Sequence, residues 1–306
     1  MKATRQGYGD ALVELGQENP NVVVLDADLA KSTTSYTFAE KFPKRFIDCG
    51  VAEQLMMGVA AGLAASGKIA YTGSFAIFAT GRAFEQVRNI IAYSNLNVKL
   101  CPSHAGVTVG ADGSSHQAIE DISLMRAIPN MKIIVPSDYI EAKTAVKAAA
   151  YIEGPIYIRL GRAALPQINA DDYKFEFGKA LMLRQGKDAT IFAVGIMVAA
   201  ALEAADNLAK EGIDCEVINL RTVKPLDKAA ILDSVAKTKR VVTAECHTVV
   251  GGVGSAICEL LAENIPLPVA MVGIRDRFGQ SGSPDELLEH YGLTAKDIEA
   301  KVKQLL

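Results

Sequence analysis

Arg45-Phe46-Ile47-Asp48-Cys49-Gly50-Val51-Ala52-Glu53-Gln54 is the stretch on which the reading of this chain turns. It runs on into Leu55-Met56-Met57-Gly58-Val59-Ala60-Ala61-Gly62-Leu63-Ala64-Ala65. Residues 45–47 read as a short apolar strand, Asp48-Cys49-Gly50 as a turn, and Glu53 as the start of a helix made of small residues. Strand, turn and helix in that order are the unit of an α/β sheet. Small side chains on every side of a helix predict close packing on several sides. Glu53, the one carboxylate of that helix, is therefore expected to be buried, and burial raises a carboxylate's pKa. Two readings compete. Glu53 is a capping residue drawn to the positive helix end, or it exchanges a proton with a bound heterocycle.

Outward from this stretch, the same alternation fills the chain. Apolar runs at 22–25, 69–74, 98–101, 132–135 and 156–160 are continuous, as in a parallel sheet covered on both faces. Helical patterns lie between them at 7–17, 53–65, 83–94, 119–126 and 139–151. A polar stretch without periodicity, 167–177, reads as a linker between a first domain, 1–166, and a second, 178–306. The second domain predicts strands near 190–194, 215–220, 240–244 and 269–272, with helices at 198–210, 227–236 and 255–263. Thr294-Ala295-Lys296-Asp297 reads as a capping box opening a last helix. The fold class is α/β, two domains, each a mostly parallel sheet flanked by helices. A length of 306 residues gives each domain its own core.

Composition narrows the function. A net charge of −3 and the absence of Trp argue against a nucleic-acid partner. No apolar run approaches a membrane span, so no membrane partner is expected. The first residues, Met1-Lys2-Ala3-Thr4-Arg5-Gln6-Gly7, lack the apolar core of a signal peptide. Five cysteines without a Cys-x-x-Cys pair read as reduced, packed thiols, and the expected compartment is the cytoplasm.

Ligands of open parallel sheets bind beyond the carboxyl ends of the strands. The residues expected there are Leu29 and Ser32, Asp48 and Glu53, Phe75 and Phe78, His104, and Arg162. Between His104 and His116 lies a glycine-rich loop that carries Asp112, and a loop this long inside a domain is usually functional. Taken singly, each residue has a plain structural role: a turn-capping His, an Asp-Gly turn, a core Phe. Together they predict one site. His104 and His116 lack the close pairing of a zinc site, and no metal is assigned to this chain. Ser74 or Ser103 beside a His evokes a hydrolase, yet the Gly-x-Ser-x-Gly elbow is absent. In the second domain, Glu245-Cys246-His247 followed by Gly251-Gly252-Val253-Gly254 reads as close helix–sheet packing, with a phosphate cradle as the weaker alternative.

These residues resemble the C-terminal half of transketolase. The resemblance rests on Gly50-Val51-Ala52-Glu53-Gln54, Gly110-Ala111-Asp112-Gly113-Ser114-Ser115-His116-Gln117, Arg126-Ala127-Ile128-Pro129-Asn130 and Val135-Pro136-Ser137-Asp138, with Pro155 through Arg162 and Leu165-Pro166. It implies a pyrimidine-binding domain for thiamine diphosphate, followed by a transketolase C-terminal domain. The family's Gly-Asp-Gly diphosphate motif with its downstream Asn has no counterpart here. The resemblance therefore implies a two-chain enzyme. An N-terminal subunit would hold the diphosphate and Mg2+ (or Ca2+), in an α2β2 heterotetramer. It implies that Glu53 bonds the aminopyrimidine, that Phe78 stacks on that ring with Phe75 beside it, and that Leu29 wedges under the cofactor. Asp112 would bind a substrate hydroxyl, and His116 would assist proton transfer. Arg5, Ser32, His104 and Arg162 would grip the sugar phosphate. The reaction implied is transfer of a two-carbon ketol unit from a ketose phosphate to an aldose phosphate. Gly81 stands where many transketolases carry Tyr. The run from Gly81 to Val87 is closer to deoxyxylulose-phosphate synthase or the β subunit of 2-oxo-acid dehydrogenases. Those enzymes, and a non-catalytic binding subunit on the same fold, are the alternatives.

Overall fold

A computed structural model describes residues 1–306. The first domain carries strands β1 (Lys2–Ala3), β2 (Val22–Asp26), β3 (Phe46–Asp48), β4 (Ile69–Gly73), β5 (Val98–Leu100), β6 (Lys132–Ile134), β7 (Ile156–Ile158) and β8 (Ala164–Leu165). The second carries β9 (Leu181–Arg184), β10 (Ala189–Ala193), β11 (Cys215–Asn219), β12 (Thr222–Lys224), β13 (Val241–Thr248) and β14 (Val269–Ile274). The apolar runs form parallel strands within two residues of their expected limits, except that β13 runs on to Thr248, four residues past its expected end. Every residue of β2, β5, β7, β10 and β11 is buried, because helices cover both faces of each sheet.

The larger sheet has the order β12-β6-β7-β5-β4-β2-β3, and the smaller β14-β13-β10-β11-β9. Two antiparallel edges escaped the sequence reading. β9 runs against β11 within the second domain. β12 leaves the second domain and pairs with β6 of the first, so one sheet is completed by residues from beyond the 167–177 stretch. Lys224 fastens this edge by donating from Nζ to the carbonyls of Arg126 and Ile128, at 2.7 and 2.6 Å.

On one face of the larger sheet lie helices Thr4–Glu18 and Tyr139–Ala149, with Tyr8, Leu12, Leu15 and Val146 in the core. Gly7 permits their contact: a Cβ there would stand 2.5 Å from the Tyr139 carbonyl oxygen. The other face is shared. Met56, Ala60, Ile91 and Val98 of the first domain sit in one cluster with Phe192, Ile218, Leu220 and Ile257 of the second. Residues 167–177 contain no helix or strand, yet they are pinned. Asp138 Oδ2 accepts from the backbone of Ile168 and Asn169 at 2.8 and 2.7 Å, and Tyr173 donates to Glu141 at 2.6 Å.

Two helical expectations are corrected. Glu53–Ala65 forms as read, but it does not pack on several sides. Glu53, Met56, Met57, Ala60 and Ala61 are buried, while Leu55 is 57% exposed and Gly58 and Gly62 face open space. The small residues serve two faces, and only one of them is covered within this chain. The helix expected over 83–94 instead begins at Ala76 and is π-wound over Phe78–Arg82 and Val87–Ala92. The Thr80 hydroxyl donates to the Ala76 carbonyl at 2.7 Å, and such insertion into the hydrogen-bond ladder favours widening of the turn. The capping box at Thr294–Asp297 forms, with Thr294 N and Oγ1 both donating to Asp297 Oδ2, at 3.1 and 2.6 Å. No helix is long and apolar enough to cross a membrane.

A chain ended at Phe177 would strip Phe192, Ile218 and Leu220 from the shared core and bare the edge of β6. Each such side chain contributes about 1.5–3 kcal/mol by burial. The truncated chain is expected to bind a hydrophobic dye and melt without a cooperative transition in circular dichroism. The full chain is expected to melt in one.

Candidate functional site

The exits of β3, β4 and β5 build the site. Beyond β4 and β5 the chains stay bonded: Ser103 N donates to Ser74 O at 3.0 Å and Ala76 N to Ser103 O at 2.8 Å. That extension sets Phe75 and His104 side by side, their rings stacked at 3.8 Å between centroids. Phe78, one turn on, lies parallel to Phe75 at 6.0 Å. The loop returns His116 edge-on to Phe78 at 5.4 Å and to Phe75 at 6.1 Å. Two phenyl and two imidazole rings thus form one aromatic wall.

Glu53 faces it. Its side chain is buried in the first turn of its helix, and Ser74 Oγ donates to Oε1 at 3.2 Å. No other protein group donates to this carboxylate. With Phe78, Val51, Gln54 and Arg82 it lines an open cleft of about 550 Å3. The flat face of Phe78 and a carboxylate with spare lone pairs suit a planar, nitrogen-bearing ring.

A basic rim adjoins the wall. Arg5 is half-buried and donates to the Ser32 carbonyl at 2.6 Å. Arg162 donates to the Val109 carbonyl at 2.8 Å and reaches Asp112 at 3.4 Å. Burial, then the charge of Arg162, lowers the Arg5 pKa, which places the two guanidinium groups in one field. His104 sits inside that field with φ of 61°. Burial first, then Arg5, Arg162 and His116, push its pKa down to about 3, so the ring is neutral. Its Nδ1 is 2.8 Å from Ser103 Oγ. Two arginines with only one carboxylate at their edge form a site short of negative charge, as an anion-binding rim requires.

Leu29 caps the short helix Ala30–Thr33 and is half-buried. It is placed by Asp26, a residue the sequence reading passed over. Asp26 accepts from Leu29 N at 2.7 Å and from the hydroxyls of Thr33 and Ser35 at 2.7 and 2.8 Å. Burial outweighs those bonds and lifts its pKa to about 6. The signal was an Asp at a strand exit followed by two hydroxyl residues within one turn. The structure therefore gathers Phe75, Phe78, His104 and His116, with Glu53 opposite and Arg5, Ser32, Asp112 and Arg162 along the rim.

The phosphate cradle considered for the second domain does not exist. Glu245 lies within β13, and its own carboxylate fills the helix end, accepting from Val253 N and Gly254 N at 2.7 and 2.8 Å.

The model described as the pyrimidine binding domain of transketolase matches residues 1–167, and that described as the transketolase C-terminal domain matches 178–298. The chain belongs to the transketolase family. It is 46% identical to the putative transketolase C-terminal section of Methanocaldococcus jannaschii, over 99% of this chain and 96% of that one. It is 48% identical to the 6-deoxy-6-sulfo-D-fructose transketolase subunit SqwH of a Clostridium species, over 96% of this chain and 91% of that subunit. A solved structure described as a split gene transketolase, inactive beta4 tetramer, superposes with a TM-score of 0.94 at 53% identity, covering 100% of this chain and 99% of that one.

The neutrality of His104 has a pH signature. Its folded pKa of about 3 lies below the unfolded value of about 6.5. The stability it contributes is present above that unfolded value and is lost as the pH falls toward 3. The His104 ring carbons are expected to show no NMR titration between pH 8 and 5. The denaturation midpoint is expected to fall below pH 6.5, less steeply in His104→Gln.

Proposed function

We propose that this chain is the C-terminal subunit of a two-chain transketolase that works with thiamine diphosphate. The observation that carries this reading is half of a site: a buried carboxylate with spare acceptor capacity opposite a phenyl platform, beside a basic rim. These residues fit the aminopyrimidine end of that cofactor. When bound, the cofactor would act as the electron sink for carbon–carbon bond cleavage. Glu53 would hold a proton at a ring nitrogen, Phe78 would stack on the ring with Phe75 behind it, and Leu29 would support it from below. Asp112 would orient a sugar hydroxyl, and His116 would move a proton at the reacting carbon. Arg5, Ser32, His104 and Arg162 would bind the terminal anion of the sugar. Residues 1–166 would form the pyrimidine domain, 167–177 the connection and 178–306 the supporting domain.

The diphosphate and its Mg2+ are assigned to an N-terminal partner chain, whose docking the bare face of the Glu53 helix would suit. On that face Leu55 is 57% exposed, and Val51, just before the helix, is 81% exposed. The transketolase names of the relatives support this reading over the dehydrogenase alternative. The relative acting on a sulfonated sugar makes the terminal anion the open question, since two arginines accept a sulfonate as readily as a phosphate.

The test is reconstitution. This chain, mixed with a co-purifying partner that carries Gly-Asp-Gly, is expected to transfer a ketol unit between sugar phosphates or sulfonates only when thiamine diphosphate and Mg2+ are present. A mixture that stays inactive toward both anion classes would overturn the proposal. In the active complex Glu53→Gln is expected to lower kcat by about 10²–10⁴-fold with an unchanged melting temperature. Arg162→Ala is expected to raise KM for the anionic ketose at least about tenfold while leaving that for the uncharged ketose unchanged. Equal changes for both would remove Arg162 from the anion site.

A further inference from the structure

The loop that carries Asp112 and His116 belongs to the first domain but rests on the second. Gly110 and Gly113 have φ of 85° and 79°, and both lie against the segment 281–284. A Cβ on Gly113 would stand 2.7 Å from Ser281 Oγ, and one on Gly110 3.3 Å from the Gly282 carbonyl oxygen. Val107 and Ile119, which bracket the loop, share a cluster with Leu287 of the helix Pro284–His290.

Gln117 joins these parts. It is 2% exposed, and its amide nitrogen faces three carbonyl oxygens: Gln280 at 2.9 Å, Val107 at 3.1 Å and Gly110 at 3.4 Å. Three acceptors fix the orientation of the amide, since an oxygen turned toward them would be repelled. The nitrogen has two hydrogens, so the two shorter contacts are its bonds: one within the loop and one to the second domain. Its Oε1 is buried without a partner and lies over Gly279, where a Cβ would come within 1.7 Å of it. The next residue, Ala118, is anchored independently, its carbonyl accepting from Gly106 N at 2.8 Å and Arg159 Nη2 at 3.2 Å. The residue before it is His116. Gln117 is thus the last fixed point before the functional end of the loop.

We infer that Gln117 is a positioning residue: it latches the substrate loop to the 279–282 segment of the second domain and so holds His116 edge-on to Phe78. The second domain then acts on the reaction without touching the substrate. The catalytic consequence rests on the transketolase reading, whereas the latch itself does not.

Two substitutions open the latch from opposite sides. Gln117→Met keeps the side-chain volume and removes the donor. Gly279→Ala leaves Gln117 intact and drives its amide away, at a backbone position without positive φ. The first readout is the NMR of the His116 ring in the full-length chain alone, where the ring currents of Phe75 and Phe78 shift its signals. Both variants are expected to move those signals toward unstructured values, and to speed hydrogen exchange over 107–117 at least tenfold while β2 amides stay protected. Wild-type His116 signals and protection in both variants would overturn the latch. The second readout uses the reconstituted complex. There kcat is expected to fall at least about tenfold, a displacement of about 1 Å sufficing for that, with the affinity for thiamine diphosphate unchanged. The double variant is expected to be no worse than the poorer single one. Full kcat with a displaced His116 would overturn the positioning role. An inactive wild-type complex would count against the transketolase reading, and the His116 signals would still decide the latch.

Discussion

The ion pair between Arg159 and Asp121 holds the junction on which the site is built. Arg159 Nε and Nη2 bond Asp121 Oδ2 and Oδ1 at 2.7 and 3.0 Å, and the Tyr157 hydroxyl adds a third bond at 2.6 Å. Burial alone would raise the Asp121 pKa, but the charge of Arg159 and its hydrogen bonds hold it below the usual carboxylate range. A buried pair of this kind contributes little net stability against an apolar replacement, yet losing one partner costs about 3–5 kcal/mol. Its value here is geometric. Arg159 leaves the end of β7 and also bonds the carbonyls of Ala118, at the end of the loop that carries His116, and Cys246, in β13. His247 of the same strand accepts from Ile122 N at 3.0 Å. One guanidinium thus fixes a strand exit, a helix start, the loop that carries His116 and the second domain together.

Much of this was legible in the sequence because it is local. Val22–Asp26 and Ala189–Ala193 declare themselves as strands by unbroken apolar runs, and the helix from Glu53 to Ala65 follows from the turn before it and its run of small and apolar residues. The aromatic wall was legible in part, since Phe75, Phe78 and His104 all stand at strand exits. What was not legible depends on partners remote in the chain. Thr222–Lys224 is too short to declare itself, and its pairing with β6 is set by a core assembled from both domains. Gln117 reads as one more polar loop residue until Gln280 is brought beside it. Glu245 was legible as an acid near glycines, but only the fold turns its carboxylate onto the helix end and leaves burial to raise its pKa to about 7.

The site is also unevenly charged. Positive groups gather at the rim, where burial, then the charges of Arg5 and Arg162, keep His104 unprotonated. Apart from Asp112 at the edge of Arg162, the negative groups stand away from the rim, at Glu53 beyond the aromatic wall and at Asp26 beneath Leu29. A neutral ring in the field of two guanidiniums can hydrogen-bond an anion without adding a third charge for the fold to hold when none is bound.

The strand that the second domain lends to the first bears on how such proteins change over evolutionary time. The stretch 167–177 looks like a seam, polar and without regular structure, and a recombination event there would preserve both reading frames. It would not preserve both sheets. An incoming second domain would need a three-residue strand at the position of Thr222–Lys224, in antiparallel register with Ile133 and Ile134. It would also need apolar residues matching Phe192 and Ile218 on the far face of the first. The shared strand and core therefore make the pair, rather than either domain alone, the unit that could be exchanged intact.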